Sequence, residues 1–267
     1  MKRTVALLSA GVLMGLIGCS KSNGPTTSGS GSMQVNMVDA PAGYDAVNIE
    51  ITGVEAHMAG SDSVSGWVTL NSTAGMYNLL EYTNGTVAVI GNAQIAAGHY
   101  TQIRLSIGPG SNVVVNGQTH ALNMASGFQT GVKLNVDATV QADAAYSLTL
   151  DFDANQSVIQ AGDTANASYS LKPVIRTTAT AATGFIMGAV LPLTAKATVW
   201  AYSSTGDTLS TNVNILGAFE LMYVPAGTYT VHIASNSALY LDSTMTGIQV
   251  NALATANIGT VSMRPKP

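Results

Sequence analysis

The chain has a single cysteine in 267 residues, at position 19. One cysteine excludes an intrachain disulfide and a site made of several cysteines. Charged residues are also scarce, at 9% of the chain, against about 25% in ordinary soluble domains. The formal net charge of -4 is too small to indicate an electrostatic partner, and because there is no basic stripe we expect no nucleic-acid partner.

The motifs of common catalytic and nucleotide-binding sites are also missing. The chain has no G-x-S-x-G nucleophile elbow, no P-loop and no glycine-rich dinucleotide fingerprint. Its four histidines are dispersed and form no H-E-x-x-H pair: His57, His99, His120 and His232. We therefore predict that the protein is not an enzyme and uses no cofactor. A secreted hydrolase that uses paired carboxylates is the third and weakest hypothesis.

The first residues have the pattern of a secretion signal. Two basic residues precede an apolar run over residues 5–18, which is short of the roughly 20 residues of a membrane span and typical of a signal peptide. The run ends in Leu16-Ile17-Gly18-Cys19, which resembles the lipobox of bacterial lipoproteins. The resemblance implies that residues 1–18 are removed and that Cys19 is lipidated. A stray or buried cysteine is the alternative.

Residues 19–32 are predicted to form the lipid-bearing cysteine and a flexible tether. Their Gly- and Ser-rich sequence has no apolar period and is typical of flexible coil. In enterobacterial lipoproteins an Asp after the cysteine favours the inner membrane, whereas Ser20 stands here. The resemblance therefore implies an outer-membrane or cell-surface protein whose membrane partner is reached through the N-terminal lipid.

Beyond the tether, short alternating strands predict an all-β fold. Met33, Val35 and Met37 alternate with polar residues, and the apolar phase of the next strand slips by one residue after Gly53. Such a slip predicts a β-bulge, and strands at this spacing predict a β-sandwich.

Turn signals separate these strands. Asn84-Gly85 and Asn116-Gly117 predict tight hairpins. Asp39 precedes Ala40-Pro41 and is interpreted as a turn initiator that hydrogen-bonds locally. A low-information linker is expected at residues 178–183.

The first of the two regions resembles a known family. The resemblance covers residues 33–177 and rests on an ordered series of motifs, which includes Val38-Asp39-Ala40-Pro41, Ile51-Thr52-Gly53-Val54, Tyr77-Asn78-Leu79-Leu80, Tyr100-Thr101-Gln102-Ile103-Arg104-Leu105, Leu150-Asp151-Phe152-Asp153-Ala154 and Leu171-Lys172-Pro173-Val174-Ile175-Arg176. These motifs look like domain of unknown function 4382, a family of secreted or lipid-anchored proteins. The resemblance implies no chemistry.

Residues 184–267 are predicted to form a second sandwich. Gly217-Ala218-Phe219 and Val224-Pro225-Ala226-Gly227-Thr228-Tyr229 resemble motifs of the carboxypeptidase regulatory-like, prealbumin-like domains. Some relatives bind starch and many are spacers. The fold prediction is therefore two β-sandwich domains in tandem after a lipoprotein signal peptide and a tether.

Asp151 and Asp153 are the candidate metal ligands. They lie two residues apart on a predicted strand, so their carboxylates share a face about 7 Å apart. Carboxylate oxygens suit Ca²⁺, but two carboxylates are few for the six to eight oxygens it takes. Ion pairing with Lys172 or Arg176 on a later strand is the favoured alternative.

Several aromatic residues are candidates for stacking on sugar rings: Trp67, Trp200, Tyr202, Tyr223 and Tyr240. Trp200 and Tyr202 share one face of a strand, opposite Val199 and Ala201. They could form a stacking platform, or they could lie on a second, buried face of the sandwich.

The main hypothesis is a lipid-anchored cell-envelope protein with a non-catalytic binding or structural role. The alternative is a carbohydrate-binding surface lipoprotein that acts through the C-terminal sandwich. A glycan or an envelope protein is the partner expected beyond the membrane.

Overall fold

The computed structural model describes residues 29–124, 128, 130–162 and 167–267. The predicted signal peptide and Cys19 lie outside the described residues. The described chain is built of strands with only short helical turns, and the predicted all-β sandwich fold is confirmed. No helix in these ranges is long and apolar enough to cross a membrane.

The first sandwich contains thirteen strands in the described part of the chain. They are β1 (Ser30–Ala40), β2 (Ala46–Met58), β3 (Trp67–Asn71), β4 (Gly75–Asn78), β5 (Ala88–Ala96), β6 (Gly98–Ile107), β7 (Asn112–Val115), β8 (Gln118–Met124), β9 (Val132–Val140), β10 (Ala145–Asp153), β11 (Val158–Ala161), β12 (Ser168–Leu171) and β13 (Ile175–Ala179). A 3₁₀ turn (Leu79–Glu81) follows β4, and the one-turn helix α1 (Ala154–Ser157) follows β10.

These strands form two sheets. One sheet has the order β13-β10-β1-β5, and the other has the order β11-β12-β8-β7-β2-β6-β9 with β3 and β4 also paired to β2. The inward residues of β1, namely Met33, Val35 and Met37, are fully buried, as the alternation predicts. They meet Leu150 and Phe152 of β10, which runs parallel to β1.

Two local predictions in this sandwich are confirmed. The pairing of β2 with β6 shifts register between Ile51 and Gly53, which is the predicted bulge. Asn116 and Gly117 form the two-residue hairpin between β7 and β8, with positive φ at both residues. Asn84-Gly85 also turns with positive φ, but it joins the 3₁₀ turn to β5 and closes no two-residue hairpin, so that part of the prediction is wrong.

The tether prediction is wrong at its last residues, because β1 begins at Ser30. Ser30 pairs with Ala96 of β5, and the backbone N–H of Ser32 donates to the carbonyl of Ala144. A Cβ on Gly31 would lie 2.7 Å from the Ala144 oxygen. The glycine therefore permits close backbone packing, although in the sequence it indicates flexibility.

The second sandwich follows at once. Its strands are β14 (Thr183–Leu191), β15 (Thr198–Ser203), β16 (Thr208–Asn212), β17 (Ala218–Pro225), β18 (Gly227–Ala234), β19 (Ser243–Val250) and β20 (Thr255–Ser262). The sheets have the orders β17-β14-β20 and β16-β15-β18-β19, around a separate apolar core. The predicted linker at residues 178–183 corresponds to the end of β13, a 3₁₀ turn (Thr180–Ala182) and the first residue of β14.

Candidate functional site

The first sandwich contacts the second through the turn at Asn84. The side-chain amide of Asn84 donates to the carbonyl of Asn212 at 2.8 Å, and its oxygen accepts from the backbone N–H of Glu220 at 3.0 Å. Thr211 Oγ1 donates to the same oxygen at 3.0 Å. Because β16 and β17 are edge strands of their sheets, one amide satisfies backbone or side-chain groups on both exposed edges.

A crevice lies between the two sandwiches beside this turn. Its volume is about 140 Å³. The first sandwich contributes four ionisable groups, and the second contributes β16 and β17. The lining residues used below are Asp39, Asp151, Asp153, Arg176, Ser210 and Glu220. Groups from five separate strands therefore meet at one interface between the sandwiches.

Asp39 is the most perturbed of these groups. It is only 5% exposed, and its Oδ1 accepts from the backbone N–H of Ala154 at 3.0 Å. Its Oδ2 has no hydrogen-bond partner among the described residues. Burial, with a smaller contribution from the charges of Asp151 and Asp153, raises the pKa of Asp39 to about 8.

The interpretation of Asp39 as a local turn initiator is wrong. Its bonded partner, Ala154, lies 115 residues away. The signal that could have located it is the alternation of β1, since Asp39 continues the inward series Met33, Val35 and Met37. An acid at an inward position of a core strand indicates a buried carboxylate.

Asp151 pairs with Arg176, which is one of the two partners left open by the sequence. Arg176 Nη2 donates to Asp151 Oδ2 at 2.6 Å, and both side chains are less than a quarter exposed. Burial raises the pKa of Asp151, and the Arg176 guanidinium opposes that effect. Lys172 is exposed. Arg176 Nη1 is buried with no hydrogen-bond partner among the described residues.

Asp153 caps helix α1. Its Oδ1 accepts from the backbone N–H of Gln156 at 2.9 Å, which is the ordinary role of an N-cap carboxylate. Within residues 29–124, 128, 130–162 and 167–267, no three His, Cys, Asp or Glu side chains form a group suited to a metal ion. Calcium binding at Asp151 and Asp153 stays a prediction.

Trp200 and Tyr202 lie on the open face of the β16-β15-β18-β19 sheet. Their rings are parallel within 5°, with centroids 6.4 Å apart, and Tyr202 is 40% exposed. Val199 and Ala201, on the opposite face, are fully buried. The alternative in which Trp200 and Tyr202 lie on a second buried face is therefore wrong.

Polar side chains flank the two rings. Ser210 and His232 are the cross-strand neighbours of Trp200, and Thr208 and Thr230 are those of Tyr202. His232 Nδ1 is 3.0 Å from Thr244 Oγ1, which extends the polar row to β19. The result is a two-ring apolar strip bordered by hydroxyl and imidazole groups, which we call the aromatic strip (Trp200 and Tyr202).

The other three candidate aromatic residues do not form such a surface. The Arg104 guanidinium lies 4.2 Å from the centroid of the Trp67 ring and covers it. Tyr223 packs against Phe185 at 5.8 Å between centroids. The Tyr240 hydroxyl is 2.8 Å from Thr194 Oγ1, and the ring is half-buried.

Comparison with solved structures gives only distant likenesses. A type II cohesin–X-dockerin complex from Acetivibrio cellulolyticus is 29% identical over 30% of this chain and 56% of that chain, with a TM-score of 0.25. The chain thus spans little more than half of that protein's length. The minor pilin of Streptococcus agalactiae is 10% identical over 88% of this chain and 97% of that chain, with a TM-score of 0.27.

The shaft pilin of Lactobacillus rhamnosus GG is 10% identical over 91% of this chain and 99% of that chain, with a TM-score of 0.26. TM-scores this low do not establish a shared fold, and nothing about function follows from them. No curated protein matches the chain.

A family match covers the first sandwich. Residues 30–173 match the family described as domain of unknown function (DUF4382), which confirms the resemblance drawn from the motifs of that region. The likeness of residues 184–267 to carboxypeptidase regulatory-like domains stays a prediction. Because the match spans more than half of the chain, the chain belongs to the DUF4382 family.

Proposed function

We propose that this chain is a non-catalytic, glycan-binding protein of the cell envelope that is anchored by lipid at Cys19. The observation that carries the proposal is the aromatic strip, because Trp200 and Tyr202 present two parallel rings on an open strand face. Tyr202 is exposed and Trp200 is half-buried. Neither ring belongs to the core of the second sandwich, so their position favours a role in binding.

The chemistry of the aromatic strip suits sugar rings. The face of an aromatic ring carries partial negative charge, and the C–H groups on one face of a pyranose are weakly positive, so the two faces attract while water is displaced. Thr208 and Ser210 lie beside the rings and can exchange hydrogen bonds with sugar hydroxyls. A flat strip fits an extended polysaccharide better than a small molecule, which needs a concave pocket.

The non-catalytic part of the proposal is supported by the carboxylates. A glycosidase needs a free acid and a free carboxylate on either side of the scissile bond. Asp151 is held by Arg176, and Asp153 is held by Gln156. Neither carboxylate lies on the aromatic strip.

A polysaccharide array tests the proposal. Residues 20–267 are screened against soluble and insoluble polysaccharides, alongside the variants Trp200→Ala and Trp67→Ala. We expect binding by the parent and by Trp67→Ala, and loss of binding by Trp200→Ala. An array without any binding, or binding that survives Trp200→Ala, would contradict a glycan site on the aromatic strip.

The anchor has its own test. The full chain and its Cys19→Ser variant are expressed in a bacterial host with a labelled fatty acid, and membranes are separated from soluble protein. We expect label and membrane association for the parent only. Quantitative membrane association of Cys19→Ser would contradict lipid anchoring at this cysteine.

A further inference from the structure

The crevice between the two sandwiches leaves two buried polar atoms without partners among the described residues. They are Asp39 Oδ2, which accepts hydrogen bonds once the carboxyl group is ionised, and Arg176 Nη1, a donor. A buried polar atom without a hydrogen bond costs about 1–3 kcal/mol, and native proteins contain few of them. Both residues line the same crevice, so this cost is concentrated at one place and indicates a site that a ligand completes.

The charges around Asp39 determine which sign of charge such a ligand carries. Asp151 and Asp153 on β10 face Asp39 from the first sandwich, and Glu220 faces the crevice from β17. Arg176 on β13 is the one basic residue among those that line it, and it is paired with Asp151. The surroundings therefore repel an anion and attract a cation.

The size and chemistry of the crevice further restrict the class of ligand that it can bind. A cavity of about 150 Å³ holds a benzene molecule, and the crevice has a volume of about 140 Å³. A small organic cation fits this space. An ammonium group supplies up to three N–H donors for Asp39 Oδ2 and the hydroxyls of β16, whereas a metal ion would need more oxygen ligands than the crevice offers.

We propose that the crevice binds the ammonium group of a small amine, which displaces the side chains that shield Asp39 Oδ2 and Arg176 Nη1 from solvent in the free protein and takes Asp39 Oδ2 as its main acceptor. A hydroxyl oxygen on the same amine would accept a hydrogen bond from Arg176 Nη1. Amino alcohols, and compounds that display an amino-alcohol group, form the ligand class. Neither Trp200 nor Tyr202 lines the crevice, although Thr208 and Ser210 lie at the border of both sites.

Binding of a cation would be linked to the proton of Asp39. Since burial holds the pKa of Asp39 near 8, the free protein carries this proton at pH 6 and must release it when the ammonium binds. We therefore expect the affinity to rise by about tenfold per pH unit from pH 6 to 8 and then to level off. A neutral ligand would not show this rise.

Isothermal titration calorimetry of the full chain in detergent with ethanolamine tests the proposal. We expect saturable binding that releases nearly one proton at pH 6, measured by comparing buffers of different ionisation enthalpy. At pH 8, ethylene glycol, the neutral counterpart, should bind at least about tenfold more weakly than ethanolamine, because it lacks the charge-assisted hydrogen bond.

Two matched variants complete the experiment. Asp39→Asn keeps the shape and the acceptor for the Ala154 N–H, and it should weaken ethanolamine binding at least about tenfold and abolish the pH dependence. Asp137→Asn changes an exposed acid outside the crevice. It should leave the ethanolamine affinity and its pH dependence unchanged. A melting temperature for each variant confirms folding.

The proposal is overturned if ethanolamine does not bind, if ethylene glycol binds equally well, or if a folded Asp39→Asn protein binds as the parent does. Trp200→Ala should bind ethanolamine normally. The amine site and the glycan site can therefore fail independently.

Discussion

The crevice and the aromatic strip break the usual pattern of residue burial in opposite ways. In the crevice, ionisable groups are buried, and Asp39 Oδ2 and Arg176 Nη1 have no hydrogen-bond partners among the described residues. On the aromatic strip, two large rings stay on an open face, and Tyr202 is 40% exposed. Burial of charge and exposure of apolar surface each cost free energy.

Function in this fold is expected where a strand departs from the usual pattern of burial. Elsewhere most inward positions are apolar, as in β1 from Met33 to Met37, and the buried Asn36 in that stretch is hydrogen-bonded to Gln34 and Ser147. Places where a sequence breaks that pattern are expected at functional sites. The crevice should therefore be sensitive to the loss of charge partners, and the aromatic strip should be less sensitive to the loss of its rings.

The largest effect is expected at the ion pair of the crevice. Arg176→Ala leaves Asp151 buried without its partner, and we expect the free energy of unfolding to fall by about 3 kcal/mol near pH 7. Urea unfolding measures this change. Lys172→Ala, a change of an exposed basic residue nearby, should cost less than about 0.5 kcal/mol. Equal losses in the two variants would contradict the assignment of Arg176 as the partner.

The second prediction concerns pH and Asp39. Its pKa in the folded protein, about 8, lies above the ordinary value of 3.8, so the folded state holds the proton more tightly than the unfolded state. The stabilisation from that proton is complete below pH 4 and is lost as the pH rises towards 8. Asp39→Asn cannot ionise, so its stability advantage over the parent should grow by about 1.4 kcal/mol for each pH unit between pH 5 and pH 8.

Urea unfolding of both proteins at pH 5 and pH 8 measures the difference. The stability difference between the parent and Asp39→Asn should be smaller at pH 5 than at pH 8 and should grow steadily between them. A difference that is the same at both values would contradict a buried, protonated Asp39. Asp137→Asn serves as the control, since its carboxylate is exposed.

The sequence predicts the parts of this fold that depend on near neighbours. The alternation of β1, the bulge at Gly53 and the hairpin at Asn116-Gly117 all follow from residues within a few positions of each other. The aromatic strip could be predicted as a shared face of β15, but its exposure could not, because exposure depends on which sheet face meets the core.

The crevice could not be predicted, because its residues come from distant parts of the chain. Asp39 bonds to Ala154, and Asn84 bonds to Asn212 and Glu220. No pattern in one strand indicates which turn will meet which edge of a second sandwich. The role of Gly31 could not be predicted for the same reason. Only a residue without a side chain fits at this position, because the backbone of Ala144 on a neighbouring segment lies so close.

The third prediction separates the contact between the sandwiches from local turn strain. Asn84 and Asn116 both precede glycine and both have φ of 50°, so replacement by alanine strains both turns equally. Only Asn84 also bonds to β16 and β17. We expect Asn84→Ala to be less stable than Asn116→Ala by about 1–2 kcal/mol. Equal losses, measured by thermal and urea unfolding, would contradict a stabilising role for the Asn84 contacts.

The smallest effect is expected on the aromatic strip. Trp200→Ala removes a half-buried ring that lies outside the core of the second sandwich, and it should lower the free energy of unfolding by no more than about 1 kcal/mol. Trp67→Ala removes a ring that packs under Arg104 and beside His57, and it should cost about 1–2 kcal/mol. Urea unfolding followed by circular dichroism compares the two without relying on tryptophan fluorescence. If Trp200→Ala proved more destabilising than Trp67→Ala, the Trp200 ring would be needed for stability. That result would contradict the interpretation of the aromatic strip as a binding surface.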